Sequence, residues 1–174
     1  MKKFILLIFI LLLLYSAANS QENSKIKIIE NYGDFTHLSE ILTMEYFQDK
    51  VVYIDVWFTG CRPCREESEH LPALKNRYQN KDLVFLYLAK PYGFFRISKW
   101  KKEMQEYDLE GYHIYMNKKL EKNIMLEVPG IKQTGVPKYI LIDKDGSVAY
   151  PDAPRPSSGD ELFLLIDMLL GESF

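Results

Sequence analysis

Val51-Val52-Tyr53-Ile54-Asp55-Val56-Trp57-Phe58-Thr59-Gly60-Cys61-Arg62-Pro63-Cys64-Arg65-Glu66-Glu67 is the stretch that decides the fold. Its first half is β-branched and apolar on both alternations, the pattern of a strand buried on both faces. Its second half turns polar and charged, as the opening of a helix does. The only two cysteines of the chain stand at the joint, two residues apart. Cysteines so placed either close a small disulfide ring or stand as two thiols, which makes a redox centre at a strand-to-helix turn the reading to test.

Working outward, Leu83-Val84-Phe85-Leu86-Tyr87-Leu88 is a second continuous apolar run. Between the two strands lies a helical pattern from Cys64 to about residue 79, with Leu71, Leu74 and Tyr78 on one face. Pro72 falls inside it and is expected to kink or divide the helix. Strand, helix and strand in this order predict a crossover with parallel strands. Downstream, Ile97, Trp100, Met104 and Tyr107 predict a helix over 97–108. Tyr112–Tyr115 reads as a short strand, and Leu120, Ile124, Leu126 and Val128 as a further helix or irregular cover. Thr134-Gly135-Val136-Pro137 opens a strand through Ile142, and Asp143-Lys144-Asp145-Gly146 turns it into a returning strand that ends at Tyr150. A last helix is expected from Ser158, as its cap, to Leu170, stopped by Gly171. Upstream, Lys25–Ile29 alternates like an edge strand. Phe35–Phe47 has near-helical spacing, with Thr36 or Ser39 available as the cap.

The 174 residues hold 47% apolar and 26% charged side chains with a formal charge of −2, enough for one cored domain and no sign of disorder. No basic excess points to nucleic acid. Lys2 and Lys3, an apolar run from Phe4 to Leu14, and small residues up to Ser20 describe a secretory signal peptide over 1–20, cut before Gln21, or an uncleaved anchor. Residues 21–174 then form a single domain. In an exported chain of this size, one closely spaced cysteine pair is a poor staple, because so short a loop constrains the unfolded state little.

The chemistry of the pair follows from its place. A helix beginning at Cys61 offers unpaired amides and the positive end of its dipole to a thiolate, and Arg62 adds positive charge. Cys61 therefore attacks a partner's disulfide, and Cys64, one turn in and expected to be less exposed, resolves the mixed disulfide. Pro63 fits the first turn. Asp55, in mid-strand, is expected to be buried near the sulfurs with a raised pKa, able to exchange a proton with Cys64. Glu67, three residues past Cys64, is a second proton-handling candidate or a solvated carboxylate. Zinc needs four ligands, and covalent haem wants His where Arg65 stands, so neither is expected. An inert structural disulfide stays as an alternative. Pro137 alone favours a trans bond.

The run Asp55–Cys64, followed much later by Gly135-Val136-Pro137, resembles the thioredoxin superfamily. With Glu67 and Tyr139–Gly146 it is similar to the exported TlpA/ResA-like thiol–disulfide oxidoreductases, in the branch common in Bacteroidetes. The similarity spans roughly residues 35–171 and implies an α/β thioredoxin-like fold, a central mixed sheet flanked by helices. It implies that Pro137 is a cis-proline against the disulfide and that Val136 offers its backbone to an extended substrate. Arg62, Pro63 and Trp57 complete the substrate-binding set, with Trp57 beside the disulfide. The resemblance also implies Asp55 as the family's buried acid and Glu67 as the acid after the motif. Gly60 stands where the family commonly has Trp, Phe58 replaces a small residue, and Arg62 replaces the Gly of thioredoxin. The expectation is an extracytoplasmic enzyme, with no cofactor beyond its redox-active disulfide and no metal. It works as a monomer that reduces protein disulfides and is itself reduced by a membrane thiol donor. The competing class is a binding module with an inert pair. A thiol peroxidase ranks last, because Thr59 stands two residues before Cys61 rather than three.

Overall fold

A computed structural model describes residues 25–93, 97–131 and 135–172. The signal-peptide reading over 1–20 and the strand-opening Thr134 lie outside these residues. The six strands are β1 (Ile26–Ile28), β2 (Val51–Phe58), β3 (Leu83–Lys90), β4 (Gly111–Tyr115), β5 (Lys138–Ile142) and β6 (Val148–Tyr150). They form one mixed sheet in the order β1-β4-β3-β2-β5-β6. β2 is central: it runs parallel to β3 and antiparallel to β5. β3 pairs parallel with β4, and β4 with β1 at the edge. The helices are α1 (Leu38–Leu42), α2 (Arg62–Ser68), α3 (Leu71–Arg77), α4 (Ile97–Glu106), α5 (Lys118–Glu127) and α6 (Asp160–Leu170), with a 3-10 turn at Pro156–Ser158.

β2 is central because seven of its eight residues are buried, and only a strand covered on both sides can hold such a run. Val52, Ile54 and Val56 point to one face, where Leu38 and Ile41 of α1 and Leu120 and Ile124 of α5 meet Leu86, Leu88, Ile114, Ile140 and Ile142. Val51, Tyr53 and Trp57 point to the other. There α2 and α3 supply Cys64, Leu71 and Leu74, α4 supplies Trp100 and Met104, and α6 supplies Leu162 and Ile166. Each fully buried aliphatic side chain contributes about 1.5–3 kcal/mol.

Pro72 divides the expected helix. α2 ends at Ser68, and α3 begins at Leu71 with Pro72 in its first turn, where a missing N–H costs nothing. The hairpin forms as the turn residues require: Gly146 takes φ 82° and donates its N–H to the Asp143 carbonyl at 2.9 Å. The region from 111 to 128 resolves into a strand and a true helix, with Asn117 capping α5 through Oδ1, which accepts from Lys119 and Leu120. Leu126 stays outside this packing at 70% exposed.

Three local expectations are corrected. The helix expected over 35–47 shrinks to the five residues of α1, because Thr43 caps it and turns carry the chain on to a buried Phe47. Its N-cap is His37 rather than Thr36 or Ser39. Glu40 provides the closure by accepting the Thr36 and His37 N–H groups at 2.7 and 3.1 Å. α6 begins after Gly159 rather than at Ser158, because Pro156–Ser158 forms its own turn. At the other end Gly171 stops α6 in the left-handed conformation, as expected.

Candidate active site

The redox loop leaves β2 at Phe58 and enters α2 through Thr59 and Gly60. Gly60 has φ 84°, a conformation that costs a side-chain-bearing residue, so the loop has a backbone reason for glycine where an aromatic residue was expected. Its N–H donates to the Glu103 carboxylate of α4 at 2.9 Å. Cys61 is the N-cap of α2, and Cys61 and Cys64 form a disulfide with Cα atoms 5.3 Å apart. The Cys64 N–H donates to Cys61 Sγ at 3.2 Å. That amide is one of the N-terminal donors for which the helix itself supplies no carbonyl, and it is directed at Cys61 Sγ.

The expected contrast in exposure between the cysteines is absent. Cys61 is 3% exposed and Cys64 6%, because both join the apolar cluster on this face of the sheet. Arg62 and Pro63 between them are exposed, and Arg62 pairs with Glu66 at 2.9 Å. The Val136–Pro137 peptide bond is cis. β5 pairs Lys138 with Val56, which brings Pro137 to the end of β2 from which the redox loop departs. Val136 is half-buried and packs against the cluster that holds the cysteines. Trp57, expected among the substrate contacts, is 2% exposed and packs in the cluster that holds the cysteines.

Asp55 shares the cysteines' side of the sheet and is 6% exposed. Its neighbours across the strands are Tyr87 and Tyr139. Burial first and the Glu67 charge next, opposed by Lys75, raise its carboxyl from 3.8 to about 8. Oδ1 of Asp55, both tyrosine hydroxyls and Nζ of Lys75 find no hydrogen-bond partner among the described residues. Lys75, on α3, lies 5.3 and 5.5 Å from the centres of the Phe85 and Tyr87 rings, and burial brings its ammonium down to about 8. The result is a buried carboxyl and a buried amine, both able to change protonation near neutral pH.

Glu67 is not the solvated carboxylate allowed as one alternative. It is 8% exposed, its two oxygens accept from the Ser157 N–H (3.0 Å) and hydroxyl (2.9 Å), and Arg155 lies 3.8 Å away. It ties α2 to the Pro156–Ser158 turn. Glu103 and Lys75 were missed in the sequence. Glu103 could have been found, since it interrupts the Trp100–Met104 face at a position that faces the core. The stacking of Phe58 on the exposed Tyr92, with ring centres 4.4 Å apart, was also unforeseen, because it joins the end of β2 to the loop that follows β3.

Among the described residues, no group of three or more His, Cys, Asp or Glu could hold a metal ion. Nor is any helix there long and apolar enough to cross a membrane.

The Redoxin family model matches residues 23–161. Similar solved structures include a candidate thiol–disulfide oxidoreductase from Bacteroides vulgatus in a crystal form, 32% identical, with 71% of this chain and 80% of that one covered at a TM-score of 0.55. A solution structure of a candidate thiol–disulfide oxidoreductase from the same organism is 28% identical, with 71% and 76% covered at a TM-score of 0.57. A candidate thioredoxin from Neisseria meningitidis is 25% identical, with 74% and 79% covered at a TM-score of 0.57. No curated protein sequence matches the chain. With its mixed sheet, its strand-to-helix disulfide and its cis-proline beside them, the chain belongs to the Redoxin family and is a TlpA-like member of the thioredoxin superfamily.

Proposed function

We propose that this thiol–disulfide oxidoreductase acts outside the cytoplasm and reduces protein disulfides through Cys61 and Cys64. The observation that carries the reading is the disulfide at the head of α2, with the Cys64 N–H already directed at Cys61 Sγ. In the reduced protein that donor stabilises a Cys61 thiolate. The thiolate attacks one sulfur of a partner's disulfide; the S–S bond breaks, and the second partner sulfur leaves as a thiolate that takes up a proton. Cys64 then loses its proton and attacks Cys61 Sγ, which releases the first partner sulfur and closes the Cys61–Cys64 bond. Two electrons pass to the partner, and no further cofactor is needed.

Asp55 is the acceptor for the Cys64 proton in this scheme. A carboxyl titrating at about 8 changes hands with a thiol at little cost, and its buried place on the cysteines' face supports the role. The contacts of Glu67 support a part in fixing α2, with proton handling as its second role. Val136 and Pro137 meet the partner's extended segment, with Arg62 and Pro63 at the exposed rim. The charged start and apolar run of residues 1–14 support export. A membrane thiol donor would return the pair to the dithiol, and the protein works as a monomer.

Insulin-disulfide reduction tests the activity. The mature protein is expected to be active and the Cys61→Ser variant inactive, whereas Cys64→Ala accumulates mixed disulfides through Cys61. If the parent and Cys61→Ser are equally inactive with every dithiol donor, and Cys64→Ala traps nothing, the chain is a binding module instead.

A further inference from the structure

Glu103 takes no part in the scheme above, yet its carboxylate reaches the redox loop. It stands on the inner face of α4 between Trp100 and Met104, 5% exposed, where packing alone calls for an apolar residue. Its Oε2 accepts the Gly60 N–H at 2.9 Å, and Lys99 brings Nζ within 3.7 Å of Oε1. Tyr107, one turn further along, feels the same charge: its phenol is raised by burial first and by Glu103 next, with Glu106 adding and Arg65 opposing. A carboxylate in such a place is costly unless it is hydrogen-bonded and partly neutralised, and here both partners are present.

We propose that Glu103 is a positioning residue that anchors the Gly60–Cys61 loop and sets how strongly the cysteine pair favours its disulfide. The inference rests on the reading of Cys61 as the attacking thiol. Two effects act at one place. The hydrogen bond holds Gly60 in the left-handed turn that delivers Cys61 to the head of α2. The negative charge, one residue from Cys61, opposes the stabilisation that the Cys64 N–H gives to a thiolate. A less stable thiolate means a more stable disulfide, so the reduced protein becomes the stronger reductant. The loop amide that brings the charge close is therefore also what biases the pair toward donating electrons.

The Glu103→Gln variant keeps the shape and an acceptor for Gly60 but removes the charge. In the reduced protein, its pH profile for alkylation of Cys61 is expected to move to lower pH. Its equilibrium with glutathione shifts roughly three- to tenfold toward the dithiol, the scale of one nearby charge at an intermediate dielectric. In Glu103→Ala the Gly60 amide is also expected to exchange with solvent faster, which separates the anchor from the charge. If Glu103→Gln leaves both the profile and the equilibrium unchanged, the proposal is overturned. Should the variants fail to fold, the unsubstituted protein still decides it. The 13C resonance of the Glu103 carboxyl is expected to shift as the Cys61 thiol ionises, and a flat trace rejects the coupling. None of these readouts needs turnover of a protein substrate, so they succeed or fail separately from the insulin assay.

Discussion

The two faces of the central sheet are made from alternate residues of the same strands, and they differ in almost everything else. Val52, Ile54 and Val56 look toward α1 and α5 into a cluster of aliphatic side chains. Val51, Tyr53, Asp55 and Trp57 look the other way, where the disulfide, two tryptophans and several tyrosines lie under α2, α3, α4 and α6. Among the described residues, the buried side-chain polar atoms without a partner belong to that second face or to α3 and α4 lying on it: Asp55 Oδ1, the Trp57 and Trp100 indoles, Lys75 Nζ, the Tyr87 and Tyr139 hydroxyls and His113 Nδ1. Unpaired polar groups in low dielectric are expensive. The aliphatic face thus provides stability without chemistry, and the aromatic face carries the chemistry at a cost in stability.

Substitutions on each face can break or sharpen this division. Ile54→Ala is expected to have the largest effect on stability, about 4 kcal/mol in chemical denaturation, because Ile54 is fully buried among close-packed aliphatics. Its glutathione equilibrium should match the parent's. A shifted equilibrium would mean that the two faces are coupled.

Asp55→Asn comes next and has the opposite sign. The Asp55 carboxyl titrates at about 8 in the folded chain against 3.8 for the ordinary group, so between those values the folded chain keeps a proton that the unfolded chain has lost. The stability from this group is complete below about pH 4 and falls as the pH climbs toward 8. Asn removes that loss and is expected to stabilise the protein above pH 8 and hardly at all near pH 4. Resolution of the mixed disulfide should slow at the same time. Unfolding curves across this range that run parallel for parent and variant would show that Asp55 does not titrate as described.

The smallest of the three concerns His113. It stacks on Tyr87 with ring centres 4.7 Å apart and donates Nε2–H to the Leu109 carbonyl at 2.6 Å. Burial lowers its imidazole from 6.5 to about 4, so the folded chain resists a proton that the unfolded chain accepts. Stability from neutral His113 is complete above pH 6.5 and is lost as the pH falls toward 4. A His113→Phe variant should abolish that slope, worth about 2 kcal/mol, as read from urea midpoints at pH 7 and pH 4.5. Asp55 favours the folded state toward low pH and His113 toward neutral pH, both from the one face.

How much of this could be read in advance depended on the range of the interactions. β2 was legible because a strand buried on both faces needs an unbroken apolar run. The division at Pro72 and the Asp143–Gly146 turn were legible because a proline or a turn acts on its own neighbours. The Cys61–Cys64 spacing named the chemistry for the same reason. The deep burial of Cys61 was not legible, because it depends on what packs over the loop from elsewhere in the chain. Neither were Glu103 on Gly60, Ser157 on Glu67, or Lys75 against Tyr87, since each joins residues from different elements. α1 was read too long because near-helical spacing from Leu38 to Phe47 also suits a short helix followed by turns that bury Phe47.

The two outer strands bear on the sheet's risk of self-association. β1 and β6 have three residues apiece, so the sheet ends at each side in a very short rim. Long, flat, unpaired edges are templates for strand addition and aggregation, and very short ones are a natural guard against it. A chain that meets the extended segments of misfolded or half-oxidised proteins would be exposed to that hazard at every encounter. With edges this short, such a segment finds little backbone to pair with along the sheet's sides.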